Sequence, residues 1–419
     1  MFIKKIRHSE TARHTVWMLL AQGIRVIMQA VYFVIIARSL GVNQYGVFVG
    51  AASLVSIVFP FSALGSGDLL VKNVSRDPSL FRVYWGNTLL ATFISGLVLV
   101  ALLSLVAPFI LPKTIPLALV VVIAIGDLVF FRAATSACQA FQAVLQLDKT
   151  AMINILPNFL RAAGAILFVN FFNSSNVLEW AYIYATASAI GAVIAVLMVS
   201  YHLGTPRFSL SRMRSEVAEG SYFSISLSAQ SIYNDIDKTM LSRLSTLEAV
   251  GIYAAAYRVI DVAFVPVRSL LAATYAKFFQ YGMTGISGAL TLSRRMLPAA
   301  SIFGLLAALG LFLGAPVVPL LLGDDYADSV DAIRWLAPIP LIKSVQYFGA
   351  DTLTGAGFQK LRSAAQVSIA IFNVLINIWL IQTFSWRGAA WASLLSDGLL
   401  MIILWVIVIS IAWRDQRKI

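Results

Sequence analysis

Long apolar stretches separated by short polar connections run along almost the whole chain. A bilayer core about 30 Å thick requires roughly 20 apolar residues per helix, and the stretches have that length. Segments such as 97–108 and 399–411 are apolar on every face, whereas a transmembrane β-strand alternates. The pattern therefore predicts an all-α polytopic membrane protein with twelve spans. Spans 1 to 12 are 15–37, 45–65, 86–110, 116–141, 152–173, 178–202, 221–244, 250–276, 296–322, 330–356, 363–384 and 388–412.

The composition supports this interpretation. Of 419 residues, 59% are hydrophobic and only 12% are charged, which leaves too little polar surface to cover a soluble globule. Basic residues precede span 1, but no small-residue cleavage site follows it, so we expect a retained first helix and no signal peptide.

Lys and Arg are concentrated in alternate connections, whereas the connection between spans 9 and 10 carries Asp324, Asp325 and Asp328. Positive charge is retained on the cytoplasmic side during insertion, so both termini are predicted to be cytoplasmic. The formal charge of +12 follows from this topology, and no nucleic-acid partner is expected. The basic residues assigned to the cytoplasmic side include Lys72, Arg76, Arg82, Arg207, Arg212, Arg214, Arg294, Arg295, Arg414, Arg417 and Lys418.

An internal repeat appears when the chain is compared with itself at an offset of 205 residues. Each half then holds six spans and enters the membrane in the same sense, which places the expected substrate path at the centre. The predicted domains are an N-terminal six-helix lobe (1–203), a cytoplasmic linker (204–219) and a C-terminal six-helix lobe (220–419). The matched pairs are Arg38 with Arg243, Gly46 with Gly251, Phe48 with Tyr253, Ala51 with Ala256, and Phe59 with Phe264.

Charged residues also occur within the spans, where each costs roughly 2.5 to 3.5 kcal/mol unless it faces protein or water. Basic residues slightly outnumber acidic ones, which predicts a cavity that receives an anion. The basic residues are Arg25, Arg132, Arg161, Lys238, Arg258, Arg268, Arg334 and Lys343, and the acidic ones are Asp127, Asp235, Asp237, Asp261, Asp351 and Asp397.

Several polar residues recur at helical spacing and predict helix faces that contact water. Intramembrane charges also pair simply to offset their burial, as Asp261 with Arg258 or Lys238 with Asp235 would, so both interpretations stay open. The predicted stripes are Gln22, Arg25, Gln29 and Tyr32 on span 1; Gln230, Ser231, Asn234, Asp237 and Lys238 on span 7; and Arg258, Asp261, Val265 and Arg268 on span 8.

Motifs of other chemistry are missing from the sequence. The single cysteine, Cys138, excludes an internal disulfide, and the three histidines lie near span ends. Neither a zinc motif nor a phosphate-binding GxxxxGK[ST] loop occurs. We therefore expect no metal, no cofactor and no enzymatic activity.

Two segments resemble Wzx-type polysaccharide transporters, which are oligosaccharide flippases. Residues 36–48 read IARSLGVNQYGVF and are similar to that family's turn between its first two helices. Residues 235–241 (DIDKTML) and 250–258 (VGIYAAAYR) are similar to the equivalent segment of the second half. The resemblance covers the whole chain in the arrangement of its spans, and only these short regions in amino-acid sequence.

The resemblance implies the MATE-like fold of the multidrug, oligosaccharidyl-lipid and polysaccharide exporter (MOP) superfamily, with two six-helix lobes around a central cavity. It further implies an inner-membrane protein of bacteria that flips an undecaprenyl-diphosphate-linked oligosaccharide to the periplasmic leaflet by alternating access. O-antigen, capsule or exopolysaccharide synthesis, in concert with a polymerase complex, would use the product. The arginines would attract the diphosphate, and the polar and tyrosine side chains would meet sugar hydroxyls.

The predicted sites combine the stripes with this implied role. A lone acid in a cationic cavity can titrate and couple transport to an ion, which selects Asp127, Asp237 and Asp261 as coupling candidates. The predicted cavity residues are Gln22, Arg25, Gln29, Tyr32, Arg132, Arg161, Gln230, Asn234, Lys238, Arg258, Arg268, Arg334 and Lys343.

Three alternatives remain. A cation-coupled multidrug antiporter of the same fold would favour an acidic cavity. A major-facilitator transporter also has six plus six helices, but residues 67–82 lack its glycine- and arginine-rich signature. A membrane glycan polymerase or ligase would need a large outer loop with catalytic groups, and the predicted outer loops are short.

Overall fold

The computed structural model describes residues 10–171 and 176–416, all in helices, turns or short connections without a strand. This confirms the predicted all-α class. Three short 3₁₀ helices and a π-helical segment, Ile125–Phe131, join the α-helices. The α-helices are α1 (Glu10–Val58), α2 (Ser66–Val74), α3 (Phe81–Ile110), α4 (Leu117–Ala124), α5 (Arg132–Ala143), α6 (Leu147–Phe171), α7 (Val177–Leu203), α8 (Leu210–Leu244), α9 (Leu247–Ala263), α10 (Val265–Gly282), α11 (Ile286–Gly314), α12 (Val317–Leu322), α13 (Ser329–Leu336), α14 (Ile339–Gly355) and α15 (Gln359–Gln416).

The chain divides into two compact units, Met1–Thr239 and Met240–Ile419. The boundary falls inside α8, so most of this helix packs with the first unit. The two six-helix lobes joined by a linker at 204–219 therefore remain a prediction.

Seven of the described helices are long and apolar enough to cross a membrane, or eight if α9 and α10 together form one bent span. The segment Gln359–Asp415 has 57 residues, and at 1.5 Å per residue it would far exceed a 30 Å bilayer core if it were straight. It is broken at Ser385 (φ 55°, ψ −135°), and α1 is broken at Gly41 (φ 71°, ψ 168°). Both breaks lie at predicted turns between spans, while the count of twelve remains a prediction.

Proline interrupts three of the predicted spans. Predicted span 8 contains Pro266, which indicates a kink, and the structure has one there: α9 ends at Ala263 and α10 begins at Val265 with a bend of 50°. Pro266 lies in the first turn of α10, where its missing N–H costs the helix no hydrogen bond. Spans 9 and 10 are likewise divided, before α12 at Pro316 and before α14 at Pro338.

The same interruption occurs in the first half. Helix α1 ends at Val58 and passes into a 3₁₀ turn, Phe59–Phe61. The repeat offset of 205 aligns Phe59 with Phe264, the residue between α9 and α10. The two halves therefore break their second span at equivalent positions.

Each unit has its own apolar core. In unit 1, α2, α3, α5, α6 and α7 pack around the fully buried Trp85 and Phe141. In unit 2, α10, α11 and α14 pack around Phe278 and Phe348. Many large apolar side chains instead point outward, as Phe109 does with 81% of its surface exposed, which is the expected exterior of a protein surrounded by lipid.

The connection between α7 and α8 is hydrogen-bonded to the N-terminal part of α3. We call residues 204–220 the strap. The Arg207 backbone N–H donates to the Arg82 carbonyl at 2.8 Å. Asn87, buried in α3, accepts from the Ser209 backbone N–H at 2.9 Å and donates to the Ser209 carbonyl at 3.2 Å. The part of the strap from Leu210 onward is already helical.

Candidate functional site

The first predicted stripe lies on the part of α1 that packs against α6. Gln29 donates a hydrogen bond of 3.2 Å from Nε2 to Asn158 Oδ1 of α6. Arg25 is half-buried, and its charge acts on Cys138 of α5. The Gln22 side chain lies outside the described residues. This stripe therefore faces the interior of unit 1 at Gln29.

A charged cluster lies deeper in unit 1 and joins three elements. Arg161 of α6 contacts Asp127 of the π-helical segment, with Nη2 and Oδ1 separated by 2.7 Å. The Tyr184 hydroxyl of α7 donates to the same carboxylate at 2.9 Å, and Arg161 Nη2 donates to Ser188 Oγ at 3.0 Å. Tyr32 of α1 lies within electrostatic range of Arg161. We call this group the Asp127 cluster.

Aromatic rings enclose the guanidinium of the Asp127 cluster. The Arg161 Cζ atom lies 3.9 Å from the Tyr184 ring centroid and 4.6 Å from that of Phe131. Only 6% of Arg161 is exposed. Arg161 was predicted as a cavity cation and Asp127 as a lone acid, whereas the structure pairs them. Sequence reasoning missed Tyr184 and Ser188. The available signal was their spacing of four residues on α7, which places both on one helix face.

Arg132 is also buried in unit 1. Only 5% of it is exposed, and its guanidinium lies 5.5 Å from the Phe59 ring centroid. Its charge interacts with that of Asp68 on α2, which accepts a hydrogen bond of 3.0 Å from Gln139 Nε2. Both Arg132 and Arg161 are therefore enclosed by protein within unit 1.

The stripe predicted on span 7 lies on α8 and contains an internal ion pair. Lys238 Nζ lies 2.7 Å from Asp235 Oδ1, which confirms the pairing considered from the sequence, and also donates to the Asn234 carbonyl at 2.9 Å. Ser56 of α1 donates to Asp235 Oδ2 at 2.8 Å. Asp237 is buried, and its Oδ1 accepts the Lys238 backbone N–H. The Asn234 side chain is exposed, and that of Gln230 lies outside the described residues.

The charges of span 8 differ from those of unit 1 because they are exposed. Arg258, Asp261 and Arg268 flank the bend at Phe264, and all three are exposed on unit 2. Arg268 Nη2 lies 3.5 Å from Asp261 Oδ1, with 52% and 55% of the two side chains exposed. The bend lies between Asp261 and Arg268 of the predicted stripe, so these two residues belong to different helices. This ion pair nevertheless bridges the bend.

Two further predicted cations lie in unit 2. Lys343 of α14 lies with Nζ 3.7 Å from Asp397 Oδ2 of α15, and it is within electrostatic range of Tyr257 and Asp261. Arg334, exposed at the end of α13, lies with Cζ 5.5 Å from the Phe312 ring centroid. The exposed cations at the bend therefore have a partly buried lysine near them.

The arrangement of these groups limits their chemistry. In the described part of the chain, no group of three or more His, Cys, Asp or Glu residues is placed to hold a metal ion. Arg258 and Arg268 present guanidinium groups, which recognise phosphate oxygens by paired hydrogen bonds. The surface at the bend of unit 2 is therefore suited to an anion, with Asp261 as its acidic neighbour.

Comparisons with known proteins place the chain in a family. A family model described as polysaccharide biosynthesis protein matches residues 11–280. The chain is 20% identical over 388 residues to a protein named as an O-antigen transporter from Escherichia coli (strain K12), covering 90% of this chain and 92% of that protein. It is 22% identical over 404 residues to one named as a low-salt glycan biosynthesis flippase from Haloferax volcanii, covering 92% and 81%.

A solved structure supports the fold. The inward-facing conformation of a multidrug resistance MATE family transporter of the MOP superfamily matches with a TM-score of 0.76 at 14% identity, covering 95% of this chain and 99% of that one. The predicted MATE-like transporter fold is thereby confirmed. Because the family model also covers more than half of the 419 residues, the chain belongs to the polysaccharide biosynthesis protein family.

Proposed function

We propose that this protein is a flippase for a lipid-linked oligosaccharide. Its substrate is a glycan on undecaprenyl diphosphate, moved from the cytoplasmic to the periplasmic leaflet of the bacterial inner membrane by alternating access. Both termini are cytoplasmic. The product serves O-antigen, capsule or exopolysaccharide synthesis, where a polysaccharide polymerase complex consumes it.

The exposed charges at the bend of unit 2 carry this proposal. Arg258, Asp261 and Arg268 lie in or beside an apolar helix pair, and each would cost roughly 2.5 to 3.5 kcal/mol if it faced lipid. Their exposure therefore favours a water-filled space. The exposed guanidinium groups of Arg258 and Arg268 suit the oxygens of a diphosphate better than a cationic drug.

The membership in the polysaccharide biosynthesis family and the names of the relatives support the same substrate class. A transporter of this kind needs no covalent chemistry, since it only moves its substrate from one leaflet to the other. The prenyl chain stays in lipid while the charged diphosphate and the glycan cross through the water-filled space. Arg334, exposed on the same unit as the bend, supplies further positive charge in the proposal.

Ion coupling is the second part of the proposal. Asp127, Asp237 and Asp261 are the coupling candidates, and Asp261 is the most accessible of them because half of its side chain is exposed. Asp127 is held by Arg161 and Tyr184 and would couple only by releasing that ion pair. Asp237 is buried in α8.

The test is transbilayer movement of an undecaprenyl-diphosphate oligosaccharide in proteoliposomes that contain the purified protein. An Arg258→Ala, Arg268→Ala double variant is compared with Arg387→Ala, an exposed arginine that lies over the Trp386 ring. We expect the wild type and Arg387→Ala to move the lipid, and the double variant to lose at least about ten-fold in rate, the effect of losing about 1.4 kcal/mol of binding in the transition state.

Two outcomes would contradict the proposal in different ways. Equal rates for the double variant and the wild type would exclude the arginines at the bend from the substrate path. A wild type that moves no lipid-linked glycan but exchanges cationic drugs against an ion gradient would establish the multidrug antiporter instead.

A further inference from the structure

The π-helical segment is the irregular part of the fourth span. Residues Ile125–Phe131 lie between two regular helices, α4 and α5. A π-helix bonds each N–H to the carbonyl five residues earlier, so it holds more residues per turn than an α-helix. Such turns are rare and are enriched at functional sites. The segment therefore accommodates an extra residue between α4 and α5, relative to one continuous α-helix.

Asp127 fastens one side of this segment. It is the third residue of the segment, and its carboxylate is held by Arg161 of α6 and by Tyr184 of α7. Gly126 lets α7 approach closely, because a Cβ at this position would lie 3.2 Å from the Cα of Ala185. The ion pair and this close contact hold the wide turn against α6 and α7.

Ser62 fastens the other side. Its buried hydroxyl donates a hydrogen bond to the Leu128 carbonyl within the π-helical segment. Gly96 of α3 leaves room for that carbonyl, since a Cβ on Gly96 would lie only 2.8 Å from the Leu128 oxygen. The Leu128 carbonyl is therefore held from outside its own helix.

Ser62 also begins a strained corner in the backbone. Ala63 (φ 70°), Leu64 (φ 47°) and Gly65 (φ 69°) are three consecutive residues in the left-handed region. Two of them carry a Cβ, and such conformations persist only where the surroundings hold them. The Ala63 backbone N–H donates to Ser95 Oγ at 2.8 Å, which helps to hold the corner.

We propose that residues 125–131 form a two-state turn, π-helical while Asp127 holds Arg161 and α-helical when that ion pair opens, and that the corner 62–65 moves with it. When the segment becomes α-helical, its wide turn holds one residue fewer. Helix α4 then rotates by about 100° and shifts by about 1.5 Å along the axis relative to α5. The Leu128 carbonyl then leaves Ser62. The switch links the Asp127 cluster to the connection between α1 and α2.

The inference extends the proposed function, because it rests on Asp127 as a coupling candidate. Its test is hydrogen–deuterium exchange of the purified protein without substrate, read at residues 125–131 and at the Ala63 amide. The variants are Asp127→Asn and Ser62→Ala. The matched controls are Asp148→Asn, which changes an exposed acid in the first turn of α6, and Ser104→Ala, whose hydroxyl bonds only the Val100 carbonyl of its own helix.

Each passage between the π-helical and α-helical forms breaks backbone hydrogen bonds of the segment. We therefore expect both variants to raise exchange at residues 125–131 by about ten-fold, and Asp127→Asn also to raise it at Ala63. The controls should match the wild type. Unchanged exchange at residues 125–131 in Asp127→Asn would overturn the switch, and so would a rise confined to those residues while Ala63 stays protected. If the exchange responds as expected but the wild type moves no lipid-linked glycan, the proposed function fails and the switch stands.

Discussion

The Asn87 side chain of α3 donates a hydrogen bond of 2.9 Å to the Glu216 carboxylate in the first turns of α8. The same amide also bonds both backbone groups of Ser209. Asn87 is 1% exposed, so the three bonds lie out of water. This one side chain therefore attaches the strap and the start of α8 to unit 1.

Replacing Asn87 with alanine should loosen the strap. The change leaves the backbone groups of Ser209 without their partner, which costs about 1 to 3 kcal/mol for a buried polar group. We expect a lower melting temperature in detergent and faster tryptic cleavage after Arg207 and Arg212. The control is Asn170→Ala, since Asn170 is exposed and bonds only a carbonyl of its own helix. Equal cleavage rates in the two variants would show that Asn87 does not hold the strap.

A methyl group at Gly86 should displace the same segment. A Cβ there would overlap the Arg207 backbone, which has little freedom to move because its N–H is bonded to Arg82. We expect Gly86→Ala to lower the melting temperature and to speed tryptic cleavage of the strap. Gly310→Ala is the matched control, because nothing lies within 4 Å of a Cβ at that helical position. That variant should be neutral or more stable by up to about 1 kcal/mol, since alanine favours helix.

Glu216 should make the stability of the strap depend on pH. Burial raises the pKa of its carboxyl above the ordinary value of 4.5, and the hydrogen bond from Asn87 and the charge of Arg212 lower it by less. An acid whose pKa is higher in the folded state contributes stability below its ordinary pKa and loses it as the pH rises through the folded value. We expect the wild type to lose melting temperature from pH 4.5 to 7.5 relative to Glu216→Gln. Parallel pH profiles for the two proteins would contradict this expectation.

Removing Arg161 should destabilise unit 1 strongly. The variant Arg161→Ala leaves the Asp127 carboxylate without its cation, and breaking a buried ion pair in this way costs about 3 to 5 kcal/mol. The double variant Asp127→Ala, Arg161→Ala should be more stable than Arg161→Ala alone, because no uncompensated charge remains. Thermal unfolding in detergent measures both. The control is Arg387→Ala, which removes an exposed arginine. We expect it to change the free energy of unfolding by about 0.5 kcal/mol or less. A double variant that is no more stable than Arg161→Ala would refute the coupling.

The fold class could be predicted from sequence because lipid requires it. A helix that satisfies its own backbone in a bilayer needs a run of about 20 apolar residues, and such runs are local. The turns at Gly41 and Ser385 and the equivalence of Phe59 with Phe264 were also readable from polar interruptions and from the repeat. The resemblance of residues 36–48 to polysaccharide transporters pointed to the family for the same reason, since it is a property of consecutive residues.

The candidate site was only partly readable. The i, i+3 pair Lys238 and Asp235 follows from helical spacing alone. Pro266 within predicted span 8 indicates a kink, whereas the bend angle of 50° is known only from the structure. Across that bend, Asp261 contacts Arg268, a residue seven positions further along the chain.

By itself the sequence determined that the chain crosses a membrane in helices, that its halves repeat, and that its spans contain more cations than acids. Only the tertiary structure decided which cations are enclosed, as Arg161 is by Asp127, Tyr184 and Phe131, and which are exposed, as Arg258 and Arg268 are. The physical reason is that hydrophobicity and helical period act between near neighbours in the chain. The partner of a buried charge is instead set by packing between helices that are distant in sequence.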